Sequence, residues 1–233
     1  MTKFILVILA SFLATCAYAD ANKVKVALKK NNPEFGNVQE VHKANILGLY
    51  EVVMDGQLFY TDEKARYLIN GNIFDLKSKR NLTEERSRKL FAVEFDKLPF
   101  DIALKKVKGN GQRKMAYFTD PNCGYCQKLE AELKNIDNVT LYVFMLTLFN
   151  GSEEKVRGVL CSKDPVQAWD DLMLNQVQPA PGTCETPMTK IAEFGKKLNV
   201  TGTPALIFAD GVIVPGYIPA VEIEKALNGT KAR

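Results

Sequence analysis

The stretch Phe118-Thr119-Asp120-Pro121-Asn122-Cys123-Gly124-Tyr125-Cys126 decides how the rest of the chain is read. Lys114 to Phe118 looks like a strand, and a helix follows Pro121. Beyond the cysteines, Leu129, Leu133 and Ile136 recur at helical spacing on one face with Cys126. The two cysteines therefore open a helix directly after a strand. At such a helix start, unsatisfied N–H groups and the positive end of the dipole favour a thiolate over a thiol. Cysteines so placed have pKa values lowered from ~8.5 into the range of about 3.5–7.5. The thiolate is the nucleophile in disulfide exchange, and a lower pKa also makes it a better leaving group. Cys123 is the residue placed to attack, and Cys126, one turn inward, is placed to resolve the mixed disulfide. No histidine lies nearby, so thiolate stabilisation falls to the helix end and the backbone.

A structural disulfide and half of a zinc site are the alternatives for this pair. Zinc would need two further ligands from Cys161, Cys184 and His42, and no second C-x-x-C knuckle exists. Redox chemistry is the stronger reading, with no metal and no cofactor. His42, the single histidine, reads as a solvated strand residue.

Downstream, the strand Val139 to Leu146 is followed by helical signals from Ser152 to Leu198. A hairpin then forms around Asp210-Gly211 from Ala205 to Ala209 and Val212 to Val214, and Ala220 to Leu227 closes the chain as a helix. With Ile102 to Val107 and Lys114 to Phe118 as strands, the segment 99–233 is a β-α-β half, a helical insertion and a β-β-α half. That is an α/β domain. Cys161 and Cys184 fall in the insertion, outside any C-x-x-C context. A bridge between them would add about 3.5 kcal/mol through loop-closure entropy; two free buried thiols are the other reading. In Thr201-Gly202-Thr203-Pro204, a proline opening a strand cannot donate to the ladder, which suits an edge or a special turn and a cis bond.

Upstream, Val38 to Asp75 is β-like. Ile46 to Met54 and Gln57 to Tyr60 flank Asp55-Gly56, a type I′ hairpin signal, and Arg66 to Ile69 and Ile73 to Leu76 extend a meander through Asn70-Gly71. A short helix over Lys23 to Lys30 precedes them. The segment 20–78 is thus a small α+β unit that holds no cysteine, and at that size it calls for a partner. Asn81 to Phe91 reads as a helix capped by Asn81, with a thin apolar face, serving as a solvated linker over 79–98.

Hydrophobic residues make up 46% of the 233 and charged residues 25%, which excludes a disordered or fibrous chain. A net charge of +4, dispersed along the sequence, excludes a nucleic-acid binder that needs a clustered basic face. Lys3, the apolar run Phe4 to Ala14 and Ala17-Tyr18-Ala19 form a secretory signal over 1–19, cleaved before Asp20. Cleavage removes Cys16 and leaves four cysteines for an oxidising compartment. Leu13-Ala14-Thr15-Cys16 also loosely resembles a lipoprotein box, with Thr15 where a smaller residue is usual.

The nonapeptide above, with Gly202-Thr203-Pro204-Ala205 and Val214-Pro215-Gly216-Tyr217, resembles the DsbC/DsbG family of periplasmic disulfide isomerases in the thioredoxin superfamily. The likeness covers nearly the whole chain after the leader, and Gly-Tyr between the cysteines matches the DsbC branch more closely than Pro-Tyr of DsbG. The resemblance implies a thioredoxin-like catalytic domain and a V-shaped homodimer held by the N-terminal units, whose cleft receives misfolded exported proteins. It implies that Gly124, Tyr125, Thr203 and a cis Pro204 contact substrate opposite Cys123, and that a DsbD-type membrane reductase keeps Cys123 and Cys126 reduced. Rival readings are a DsbG-like reductase, a plain oxidant, and a chaperone-like binding module with structural cysteines.

Overall fold

Asp55 and Gly56 both take positive φ, 50° and 74°, the requirement of a two-residue type I′ turn. The strands around them form an antiparallel four-stranded sheet in sequence order: β1 (Val38–Lys43), β2 (Tyr50–Met54), β3 (Gln57–Thr61) and β4 (Leu68–Ile69). The computed structural model describes residues 20–34 and 37–229. The expected leader, its cleavage site and Cys16 lie outside them. Residues 20–31 are helical (α1), and Val24 and Leu28, one turn apart, pack on Val38, Tyr50, Val52 and Met54.

Three expectations for this region are corrected. Ile46 to Leu49 is a turn rather than strand, with Leu47 and Gly48 at positive φ. The meander does not run on through Asn70-Gly71. Instead β5 (Phe74–Asp75) pairs with β6 (Arg80–Asn81) as a separate ribbon. The helix α2 (Leu82–Leu90) is no solvated connector either. Asn81 caps it by accepting from Glu84 N at 3.1 Å. Polar contacts dock the helix where apolar ones are few. Thr83 Oγ1 lies 2.8 Å from Tyr60 Oη and accepts from Ile73 N at 2.9 Å, and Arg86 Nε donates to Glu51 at 2.7 Å.

The chain divides into two compact units between Leu90 and Phe91. Residues 91–98, expected as linker, belong to the second unit. Phe95 and Leu98 are buried there, and Val93 N donates to Gly211 O at 2.9 Å. A Cβ on Gly211 (φ +82°) would sit 1.9 Å from Val93 O, so this approach requires glycine.

The second unit is built on a five-stranded sheet. Its strands are β7 (Leu104–Lys108), β8 (Arg113–Thr119), β9 (Val139–Met145), β10 (Ala205–Phe208) and β11 (Ile213–Pro215), in the order β11-β10-β8-β9-β7. Only β8 and β9 run parallel, joined by α3 (Gly124–Leu133). Alternation splits each central strand between two cores. Met115, Tyr117, Leu141, Val143, Leu206 and Phe208 face one way. On that side they meet α3, α4 (Ser152–Leu160), α5 (Pro165–Asn175) and α7 (Ala220–Gly229). Ala116, Phe118, Phe144 and Ile207 face the other way, towards α6 (Met188–Lys197) and Phe95. Strands covered on both faces read as unbroken apolar runs, as β8 and β9 do. Cys161 and Cys184 form a disulfide that ties the end of α4 to the loop before α6.

Charge is buried beneath the first face. Glu130 accepts from Tyr117 Oη at 2.5 Å, from Trp169 Nε1 at 2.8 Å and from Lys106 Nζ at 3.3 Å, while Lys106 also bridges to Asp170. Burial alone would lower the Lys106 pKa, but Glu130 and Asp170 outweigh it and hold the ammonium above its ordinary 10.5. Its contribution is therefore complete at neutral pH and lost only as the pH rises through that raised value. Glu130→Ala leaves Lys106 with Asp170 alone and two buried donors, Tyr117 Oη and Trp169 Nε1, without their acceptor, and is expected to cost about 3 kcal/mol in urea unfolding. Glu130→Leu combined with Lys106→Met should recover part of the loss.

Candidate active site

Strand β8 ends at Thr119 and the chain turns at Asp120, whose carboxylate is fully buried and organises the turn. Oδ1 accepts from Asn122 N at 2.8 Å, the Asx-turn pattern, and from Ser152 Oγ at 2.6 Å. Oδ2 accepts from Leu148 N at 2.6 Å and Phe149 N at 3.3 Å. The Asp120 carbonyl accepts from Cys123 N at 3.1 Å. One side chain thus joins the approach to Cys123 with the loop after β9. Asn122 continues the link, donating to Asn150 O at 2.8 Å and accepting from Lys155 Nζ at 2.7 Å.

Cys123 takes the N-cap position of α3 with extended backbone (φ −89°, ψ 115°), and its carbonyl accepts from Cys126 N and Gln127 N. Both cysteines are free thiols. Cys123 retains 6% of its surface and Cys126 none, which orders them as outer and inner sulfur. Burial pushes the Cys126 thiol up to about 12. The Thr203 hydroxyl opposes that rise, the hydrogen bond with Cys123 adds to it, and the Thr119 hydroxyl and Asp120 N–H oppose it.

The antiparallel pairing of β10 with β8 sets Ala205 opposite Phe118, so Thr203 and Pro204 arrive beside the cysteine turn. Cys123 Sγ donates to Thr203 O at 3.3 Å, the Thr203–Pro204 bond is cis, and Pro204 O accepts from Gly216 N at 2.8 Å. Gly124 has open space where a Cβ would stand. Tyr125 is 62% exposed, with Tyr217 at a ring distance of 6.3 Å. Tyr217 Oη donates to Glu132 at 2.7 Å, and this bond holds the carboxyl below its usual range. The structure thus gathers Cys123, Cys126, Gly124, Tyr125, Thr203 and Pro204 at one end of the sheet, while Cys161 and Cys184 are bonded to each other in the insertion. Asp120, Thr119 and Glu130 went unread in the sequence. An Asp directly before the Pro of a turn was the one signal available for Asp120.

Residues 100–231 match the thioredoxin-like domain family, and residues 15–84 match the disulfide bond isomerase protein N-terminal domain family. Fold and match together define a thioredoxin-like protein. A disulfide interchange protein of known crystal structure from Neisseria gonorrhoeae is 31% identical, with a TM-score of 0.56 over 58% of this chain and 100% of that one. A probable thiol:disulfide interchange protein DsbC of Bordetella parapertussis is 42% identical over 181 residues, 77% of this chain and 65% of its own. The thiol:disulfide interchange protein DsbC of Escherichia coli K12 is 26% identical over 233 residues, 97% of this chain and 94% of its own. The chain belongs to the DsbC family. It spans only about two thirds of the length of the Bordetella relative.

Removing the Asp120 anchor should separate its loops. Asp120→Ala is expected to cost about 3 kcal/mol, because charge-assisted bonds are lost and buried N–H groups are orphaned. Amide hydrogen exchange at Leu148 and Phe149 should accelerate, whereas unchanged exchange there would show that the carboxylate does not hold the loop.

Proposed function

We propose that the protein is a periplasmic thiol–disulfide oxidoreductase working as a disulfide isomerase on misfolded exported proteins. The observation that carries this reading is the outer sulfur of Cys123 at a helix start, with Cys126 sealed one turn below it. Cys123 thiolate attacks a wrong client disulfide, forming a mixed disulfide and releasing one client thiolate. If another client thiolate attacks the client sulfur of that bond, a new pairing forms and Cys123 is regenerated with no net redox change. If Cys126 attacks Cys123 instead, the client leaves reduced by two electrons and a Cys123–Cys126 disulfide remains. A membrane reductase of the DsbD type would then return it to the dithiol. Thr203, Pro204, Gly124 and Tyr125 line the approach and are the residues we assign to client binding.

The remaining parts of the reading follow from export and from the size of the first unit. The leader over 1–19 is removed and the mature chain begins at Asp20. The unit over 20–78 pairs with a second copy, because so small a unit without a disulfide gains from burying its exposed strand faces. Phe74 in β5, 57% exposed, and Leu76 in the turn after it, 87% exposed, supply apolar surface for such burial. Dimerisation raises the effective concentration of a captured client at Cys123 without altering the thiol.

Refolding of a scrambled multi-disulfide protein tests the reading. Cys123→Ala should abolish rearrangement, and Cys126→Ser should accumulate mixed disulfides. A chain beginning at Phe91 should be monomeric by light scattering, reduce a small disulfide and isomerise poorly. A monomeric full-length protein, or a shortened one that isomerises as well, would remove the role of the first unit. A Cys123–Cys126 pair found oxidised in freshly extracted protein would favour an oxidant.

A further inference from the structure

Among the described residues, two buried side-chain oxygens lack a hydrogen bond of ordinary geometry: Thr119 Oγ1 and Thr203 Oγ1. Folded chains rarely leave buried hydroxyls without a partner, so each such group calls for an account. They come from different strands. Thr119 ends β8 and is wholly inaccessible, and Thr203 precedes β10. The pairing of Ala205 with Phe118 brings both to the cysteine turn, and there they and the backbone N–H of Asp120 are the groups that oppose the rise in the Cys126 pKa. A neutral thiol is a weak acceptor, but a thiolate in a low-dielectric site is a strong one. The two hydroxyls are therefore idle until the thiol ionises.

We propose that Thr119, together with Thr203 and the Asp120 N–H, is a catalytic residue that stabilises the Cys126 thiolate as it resolves a mixed disulfide. The proposal deepens the function proposed above and rests on it. In the step, the Cys126 thiol gives its proton to water and the thiolate attacks Cys123 Sγ. The Cys123–client sulfur bond breaks and the Cys123–Cys126 bond forms. The client sulfur leaves as a thiolate and takes a proton from water, so the client is reduced as the dithiol is oxidised. The buried ionisable groups on this side of the sheet and at the cysteine turn are Cys123, Tyr117, Lys106, Asp120 and Glu130. The Asp120 carboxylate is engaged by Asn122, Leu148, Phe149 and Ser152, and Glu130 by Tyr117, Trp169 and Lys106. Neither acid is left to accept the Cys126 proton, which leaves hydroxyl and amide donors as the means of lowering the barrier. The strength of this donor set then fixes how long a client stays attached to Cys123, and so divides rearrangement from release as a reduced product.

Losing one donor should raise the Cys126 pKa by about one unit or more, since hydrogen bonds to charged groups are the strong ones. Thiolate fraction falls tenfold per unit, but the remaining thiolate gains nucleophilicity with a Brønsted slope of about 0.4–0.5. The net slowing is therefore roughly three- to tenfold. Reduced full-length protein mixed with one equivalent of an aromatic disulfide that releases a coloured thiolate (dithiobis-nitrobenzoate) should give two colour phases. The first reports attack by Cys123 and the second resolution by Cys126. In Thr119→Val the ratio of second to first rate should fall three- to tenfold, and the pH at which the second phase accelerates should rise by about one unit. Thr119→Ser should restore both. If valine unfolds the protein, Thr119→Ala carries the same test. An unchanged ratio, or a serine variant as slow as valine, overturns the role of the hydroxyl. A wild-type protein with no first phase would instead overturn the function on which the inference rests.

Discussion

The antiparallel pairing of β10 with β8 is the constraint on which the site depends. With Ala205 opposite Phe118, whatever precedes β10 must lie beside whatever follows β8. Cys123 and Thr203, 80 residues apart in sequence, thus share one end of the sheet. The pairing is stable because β8 is central and covered on both faces, by α3, α5 and α7 on one side and α6 on the other. Strand order, rather than any local motif, sets the Thr203 carbonyl against Cys123 and brings the Thr119 and Thr203 hydroxyls to the same end of the sheet.

Polar groups enter this interior only in satisfied sets, apart from the two threonines. Asp120 spends its four acceptances on two loops and a helix start, and Glu130 is shared by a phenol, an indole and an ammonium. Both carboxylates lie within a few residues of the cysteines, one on each side along the chain. They fix the turn and the body of α3 and leave the sulfur atoms as the reactive groups at the surface of that core.

The second unit was legible where periodicity and turn chemistry agree. Leu129 and Leu133 with Cys126 marked the buried face of α3, and Asp210-Gly211 marked the β10–β11 hairpin. Cys123 and Cys126 announced themselves by spacing, and the unusual Thr203-Pro204 by its place before a strand. The first unit was harder. Asn70-Gly71 looks like a hairpin turn, yet the ladder partner of Phe74 is Asn81, because local turn propensity does not specify which strand comes back to pair. The docking of α2 was hidden since it runs through Thr83 and Arg86, polar residues that an apolar pattern ignores. Asp120 and the orphan hydroxyls were invisible for a related reason. Their roles come from contacts across the sheet and between loops, and no spacing along the chain encodes those.

The clamping of α3 bears on how the inner sulfur meets the solvent. Glu132 on this helix accepts from Tyr217 Oη and from Ala220 N at 2.9 Å, tying it to the start of α7, while Glu130 ties it to β8, α5 and β7. Cys126 lies in the first turn of α3 with no exposed surface, on the buried face that Leu129 and Leu133 continue. Bulk reagents reach this sulfur only when that turn opens. Peroxides and electrophiles thus meet Cys123 first. The inner thiol is protected by the opening free energy of that turn as well as by its own low acidity.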